Sequence, residues 1–188
     1  MAAESFWLEP RRLRLRDDEE VTLRPEVASD LEPVWGMFTS LSEESLQFLP
    51  VQFTRERVEG WFKEIDYDKV LPILAVVDAE GGDRVVASAT LGFSSMEHNR
   101  HVATFGITVC DEYQNRGLGT ALTRYMADIA RARGLKKVTL EVVADNLRAI
   151  NVYERCGFVV EGRLRMGHWN YIRGGFYDDL VMGLLLEG

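Results

Sequence analysis

Apolar residues along this chain switch repeatedly between a period of two and a period of three to four, and each switch marks an element. "VTLRP", from Val21, alternates as a strand does, and "ASDLEPVWGMF" follows with helical spacing, opened by Ser29 or Asp30. In "SEES", Ser42 stands as a helix cap with Ser45 at the third position, a partial capping box. "TRERVEGWFKEI" then places Val58, Trp61, Phe62 and Ile65 on one helical face. Two apolar runs, "PILAVVDA" and "RVVASATLGF", are joined by "EGGD" and read as a hairpin. A further strand, "HVATFGITV", leads into a glycine-containing loop. The helix after it carries Leu118, Ala121, Leu122, Tyr125, Ile129 and Ala132 on one face and stops at Gly134. "KKVTLEVV" is a strand, "NLRAINVYERC" a helix ended by Gly157, "FVVEGRLR" a strand, and "FYDDLVMGLLL" the last strand after a turn at "RGG".

Hairpins and crossovers are interleaved, which predicts an α+β fold on a mixed sheet. The boundaries that follow are an N-terminal arm over 1–20 and one domain over 21–187. Within the arm, "RRLRLR" runs directly into "DDEE", which suits a solvated arm or an edge strand.

Composition narrows the class. A chain of 188 residues with 46% hydrophobic content fits one globular domain. The longest apolar runs, "VLPILAVV" and "LVMGLLL", fall far short of the ~20 residues a membrane helix needs. The first residues lack the apolar core of a secretory leader, so the expectation is a cytoplasmic protein with no membrane partner. A formal net charge of -8 argues against nucleic acid and is compatible with cationic partners, amines or basic peptides, as well as with simple solubility. Cys110, Cys156, His98, His101 and His168 show no metal-ligand spacing, so no metal is expected.

Chemistry concentrates in "QNRGLG", Gln114 to Gly119, between strand and helix. Free N–H groups and the positive end of the helix dipole converge at such a point, and Gly117 and Gly119 let a pyrophosphate approach the backbone. An ordinary strand-to-helix turn is the plainer alternative. A P-loop needs Lys and then Ser or Thr after the second glycine, where this chain has Thr120 and Ala121. A dinucleotide fingerprint needs a third glycine where Leu122 stands. "GFSSM" lacks the second glycine of a nucleophile elbow, and neither cysteine has a histidine near it in sequence.

Gln114, Gly117 and Gly119 resemble the acyl-CoA signature of the GNAT superfamily of N-acetyltransferases: Gln or Arg, two residues, Gly, one residue, Gly or Ala. "NLRAINVYERCGF" resembles its second signature through Asn146, Ala149, Ile150, Tyr153, Gly157 and Phe158. The likeness runs from about Val21 to Leu186. It implies a twisted, mainly antiparallel mixed sheet of six to seven strands flanked by helices, and acetyl-CoA as co-substrate. Acetyl would pass to a primary amine, borne by a small molecule, a protein lysine or an N-terminus, by direct attack in a ternary complex. Relatives often pair as homodimers.

By the same resemblance, Ile107 and Val109 offer backbone groups to the pantetheine and thioester. Gln114, Arg116, Gly117, Leu118, Gly119 and Thr120 hold the phosphates, and Asn146 and Asn151 contact the cofactor. From the residues alone, Asn146 is a helix cap and Asn151 can face solvent. Tyr153 is implied as the acid that protonates the departing thiolate; its other reading is a core residue continuing the stripe of Leu147 and Ile150. Many relatives carry a glutamate base where this chain has Thr104, which leaves the base open. Glu141 is the candidate, because it interrupts the apolar run "VTLEVV", where burial would raise a carboxyl toward a useful pKa; a structural carboxylate is its alternative. Tyr177, Asp178 and Asp179 can line an amine pocket or form an edge-strand charge pair. Thr104 also leaves room for a second class, a CoA-binding sensor of the same fold without turnover.

Overall fold

The computed structural model describes residues 6–186, so the first five residues of the arm and residue 187 of the domain lie outside the described residues. Eight strands form one sheet: β1 (Arg11–Arg14), β2 (Glu20–Pro25), β3 (Val70–Ala79), β4 (Gly82–Phe93), β5 (Val102–Val109), β6 (Lys137–Val143), β7 (Val159–Trp169) and β8 (Phe176–Leu185). Their spatial order is β1-β2-β3-β4-β5-β6-β8-β7. Every neighbouring pair is antiparallel except β5 and β6. The sheet thus has one strand more than the six or seven expected. The addition is the arm's Arg-Leu run, which pairs with β2 from Arg11 opposite Leu23 to Arg14 opposite Glu20.

Five helices cover the sheet: α1 (Leu31–Thr39), α2 (Glu43–Leu46), α3 (Arg55–Phe62), α4 (Leu118–Ala132) and α5 (Leu147–Arg155). Central strands with helices on both faces lose the in-out alternation, and Leu71 through Val76 are all buried, Pro72 included. α4 buries Leu118, Leu122, Tyr125, Met126 and Ile129 against the sheet. Burial of such a side chain stabilises by about 1.5–3 kcal/mol, which makes α4 the central prop of the core.

The caps follow the sequence with one change. Ser42 accepts the Ser45 N–H at 3.3 Å, Thr54 does the same for Arg57, and Gly157 at φ 92 ends α5. Asp30 precedes α1 but does not cap it. Its carboxylate instead takes Arg24 through two bonds of 2.7 Å and the Val27 N–H at 2.8 Å, which ties the end of β2 to the start of α1.

One irregularity positions everything that follows. β5 and β6 pair only from Val102–Thr104 to Lys137–Thr139, although β5 continues to Val109 and β6 to Val143. Beyond Thr104 the two parallel strands diverge, and the unpaired edge of β5 faces a cleft.

Candidate active site

A cavity of about 1300 Å³ fills this cleft and extends over one face of β3, β4 and β5. Residues on the paired positions Pro72, Thr90 and Gly106, and on Ser88 and Thr108, form its floor. Ile107 and Val109 line it from the divergent edge of β5, where an amide-rich chain can pair as a strand would.

At the end of β5 the chain makes a short turn over Asp111–Tyr113, and Asn115 (φ 60) and Gly117 (φ 93) reverse it into α4. The Gly117 carbonyl already accepts the Ala121 N–H, so the N–H groups of Leu118, Gly119 and Thr120 have no partner within the helix. Gly117, Gly119 and Thr120 line the cavity, while Leu118 is fully buried in the core and is not part of its lining. Gln114 also lines the cavity and braces the turn, donating to the Val109 carbonyl at 3.1 Å and to Ser45 Oγ at 3.0 Å. Asp111 holds the other side of this brace. Burial opposes its charge, but bonds from the Ser45 hydroxyl and from Ser42 outweigh that and keep its carboxyl below the usual range.

Arg116 is placed differently from its neighbours in the loop. Its guanidinium pairs with Asp17 and Glu19 of the arm and lies 4.6 Å over the Tyr113 ring, outside the cavity lining. These carboxylates push its pKa further up. The cation at the loop is Arg16, whose Nε lies 3.4 Å from the point where a Gly117 Cβ would stand. Arg148 and Arg155 join it on the cavity wall. Sequence reasoning passed over all three; Arg16 lay inside a charge run that reads as solvated, and the other two on the polar side of a helix.

On α5, Tyr153 is buried at the cavity edge, with Phe105 edge-on at 6.1 Å and Phe158 at 5.8 Å. Burial, with Cys156 nearby, pushes its phenol well above the ordinary value, so it stays protonated. Asn146 does two things at once: its Oδ1 accepts the Ala149 N–H at 3.2 Å as an N-cap, and it borders the cavity. Asn151 is exposed at the rim, donating to the Leu147 carbonyl at 2.7 Å.

The carboxylates depart from expectation. Glu141 lines the cavity but is exposed, because the divergence of β5 opens its side of β6; the burial inferred from "VTLEVV" is not there. Thr104 and Thr139, paired across the last rung before the divergence, both line the cavity, so the position at which the resemblance leaves the base open faces the cleft. Tyr177, Asp178 and Asp179 do not line it; Asp178 binds the Met166 N–H at 2.9 Å and Arg163 at 2.8 Å. A carboxylate that sequence reasoning missed does line it. Glu26 is 6% exposed, and burial, aided by Asp30 and opposed by Arg24, raises its pKa to about 7.

Among the described residues no group of three or more His, Cys, Asp or Glu is placed to hold a metal, and no helix is long and apolar enough to cross a membrane. Cys110 is buried and its thiol is pushed up by that burial, which leaves it a poor nucleophile.

An open strand edge ending in an N–H-rich loop, with a protonated tyrosine beside it, defines an acyl-CoA type of cleft. Residues 37–158 match the family model described as Acetyltransferase (GNAT) family, and the chain belongs to that family. It is 32% identical to the L-amino acid N-acetyltransferase AaaT of Escherichia coli (strain K12) over 115 residues, 61% of this chain and 67% of that one. Other curated relatives are matched over about half of their length. The fold is shared with the GNAT domain of S. lividans PAT, at a TM-score of 0.76 and 20% identity over 97% of this chain and 98% of that one. It is shared as well with the spermidine N-acetyltransferase from Vibrio cholerae in complex with CoA and spermine, at 0.70 and 24% over 88% and 95%.

Proposed function

We propose that this protein transfers acetyl from acetyl-CoA to a primary amine by direct attack in a ternary complex. The observation that carries the reading is the divergence of β5 from β6 above the N-terminus of α4, which leaves a bare strand edge and free N–H groups in one cleft. The residues present fit the co-substrate. Gly117 and Gly119 form a cradle that side chains would fill, Arg16 supplies charge beside it, and the Ile107 and Val109 backbone suits an amide-bearing pantetheine.

Acetyl-CoA supplies an activated acyl carbonyl, and the chain supplies placement and protons. A backbone N–H of β5 at the thioester oxygen stabilises the charge that develops there as the amine nitrogen attacks. Tyr153, held protonated by its burial, gives its proton to the sulfur as the carbon–sulfur bond breaks. Glu141, open to solvent on the opposite wall, takes the proton shed by the amine, directly or through water. Gln114, Leu118 and Thr120 hold the phosphate end together with the glycines, and Asn146 and Asn151 border the cofactor. Arg116 acts on that end only through the arm it clasps. AaaT is by name an acetyltransferase of L-amino acids, which is compatible with a small-amine acceptor here.

The test is free-thiol release from acetyl-CoA in the presence of mixed amines, with Tyr153→Phe beside the parent. The expected loss in kcat is about 10²-fold or more, with acetyl-CoA affinity kept. A protein that binds acetyl-CoA but releases no thiol, and in which Tyr153→Phe changes nothing, is a sensor rather than an enzyme.

A further inference from the structure

We propose that the acceptor is a small amine bearing a second cationic group, and that Glu26 seats that second group at the end of the cavity remote from Gly117. The inference rests on the acetyl-transfer reading and specifies its acceptor.

Glu26 directly follows β2 and is pinned by its backbone: its N–H donates to the Pro72 carbonyl at 3.1 Å, and its carbonyl accepts the Tyr67 hydroxyl at 2.6 Å. Its side chain is 94% buried by the 6% exposure above, borders the cavity, and has no hydrogen-bond or ion-pair partner among the described residues. An unpaired buried carboxylate is costly, so its retention on a cavity wall calls for a ligand that pairs with it.

The neighbouring cations are already committed. Arg24 is bound by both oxygens of Asp30 at 2.7 Å and by Asp83 at 3.1 Å, so two carboxylates already share its guanidinium and Glu26 makes no contact with it. Nearby on the cavity wall, Glu64 and Asp66 share Lys69 at 3.5 and 3.2 Å. Arg16, Arg148 and Arg155 lie on the portion of the wall formed by the arm and α5. The cavity is therefore polarised, with cations where phosphates would lie and surplus carboxylates at its other side.

The sheet register sets the span. Glu26 is bonded to Pro72 of β3, Pro72 is opposite Thr90 of β4, and Thr90 is opposite Gly106 of β5. Three strand spacings separate Glu26 from β5 by roughly 14 Å. The Glu26 side chain reaches across part of this, and an aliphatic spacer of intermediate length between two amines covers the rest. Ethane-1,2-diamine is too short to do so. The raised pKa of Glu26 agrees with a group waiting for a cation, since contact with one restores its charge.

The experiment compares pentane-1,5-diamine, ethane-1,2-diamine and pentylamine by kcat/KM for thiol release. Equilibrium binding of each amine to the CoA-loaded protein is measured alongside, by calorimetry. The parent should prefer pentane-1,5-diamine over pentylamine about tenfold in both, mainly through KM. In Glu26→Gln that ratio should fall to about one, and Glu26→Asp, should the first variant fold poorly, should retain the preference and move it to a longer diamine. Turnover of the mono- and diamines with equal efficiency overturns the proposal while leaving acetyl transfer intact. If no amine releases thiol, acetyl transfer itself is lost, and equal calorimetric affinities then overturn this proposal too. A lysine-containing peptide that outcompetes the diamine in the parent also overturns it.

Discussion

Glu26→Gln should change the pH dependence of stability in a way that can be worked out beforehand. The carboxyl is raised from an ordinary 4.5 to about 7 by burial first and Asp30 second, against the pull of Arg24. Below pH 4.5 the group is protonated folded and unfolded, and it contributes nothing to the balance. Between 4.5 and 7 the unfolded chain releases the proton while the native state keeps it, so stability falls as pH rises. Above 7 the penalty is constant. At roughly 1.4 kcal/mol per pH unit the full gap is worth about 3 kcal/mol.

Glutamine keeps the shape and removes the titration, at the cost of a buried amide with the same lack of partners, about 1 kcal/mol. The variant should therefore match or fall slightly below the parent near pH 4 and exceed it by about 2 kcal/mol at pH 8. For a chain of this size that is a rise in Tm of roughly 4–8 °C at the higher pH. Calorimetric or fluorescence melts of both proteins across the range measure it, and the difference between them cancels the other carboxylates. A difference that stays flat with pH means that Glu26 is hydrated where it stands, and the argument from its burial fails. Pentane-1,5-diamine should raise the parent's Tm at pH 8 more than the variant's.

Gly117→Ala puts a Cβ at φ 93 and 3.4 Å from Arg16 Nε, so it should cost about 1–2 kcal/mol in denaturant melts and raise KM for acetyl-CoA. Asn146→Ala removes the cap on α5 and should cost about 1 kcal/mol, or a fall in Tm of roughly 2–4 °C. Restoring the cap with Asn146→Ser should recover the stability, and any loss of acetyl-CoA affinity that remains reports cofactor contact.

Most elements were legible because periodicity and punctuation agreed, although α3 ends at Phe62, short of the expected Ile65, and β7 runs on to Trp169, past the expected "FVVEGRLR". Gly134 at φ 75 and Gly157 at φ 92 end their helices where the pattern breaks, and Gly81 and Gly82 turn the β3–β4 hairpin. The carboxylates were not legible, for a reason that lies in tertiary contacts. Glu141 interrupts an apolar run and so reads as buried, yet the strand beside it leaves after Thr104 and exposes it. Glu26 stands in "RPEVASD", a polar stretch with no pattern, and is buried, with its backbone held by Pro72 and Tyr67, far along the chain. Position beside a glycine suggested Arg116 as the phosphate cation, but the positive φ of Asn115 and Gly117 turns the loop, and the arm takes that side chain instead.

The arm gives these corrections a common physical cause. Its run "RRLRLRDDEE" reads as two opposed charge blocks, the ordinary mark of a solvated face, and the fold separates them by function. The basic half pairs along β2 and ends with Arg16 at the cavity, where the Arg16 N–H donates to the Arg116 carbonyl at 3.2 Å. The acidic half turns back at Asp18, φ 66, and presents Asp17 and Glu19 to the Arg116 guanidinium, with Glu19 also accepting the Tyr113 hydroxyl at 2.8 Å. Neutralising Arg116 in this way fixes the loop's backbone from outside the cleft and leaves Arg16, beside Arg148 and Arg155, on the cavity wall. The proposed anion site of the loop thus draws on two stretches of chain, with Arg16 separated in sequence from the glycines beside which it lies.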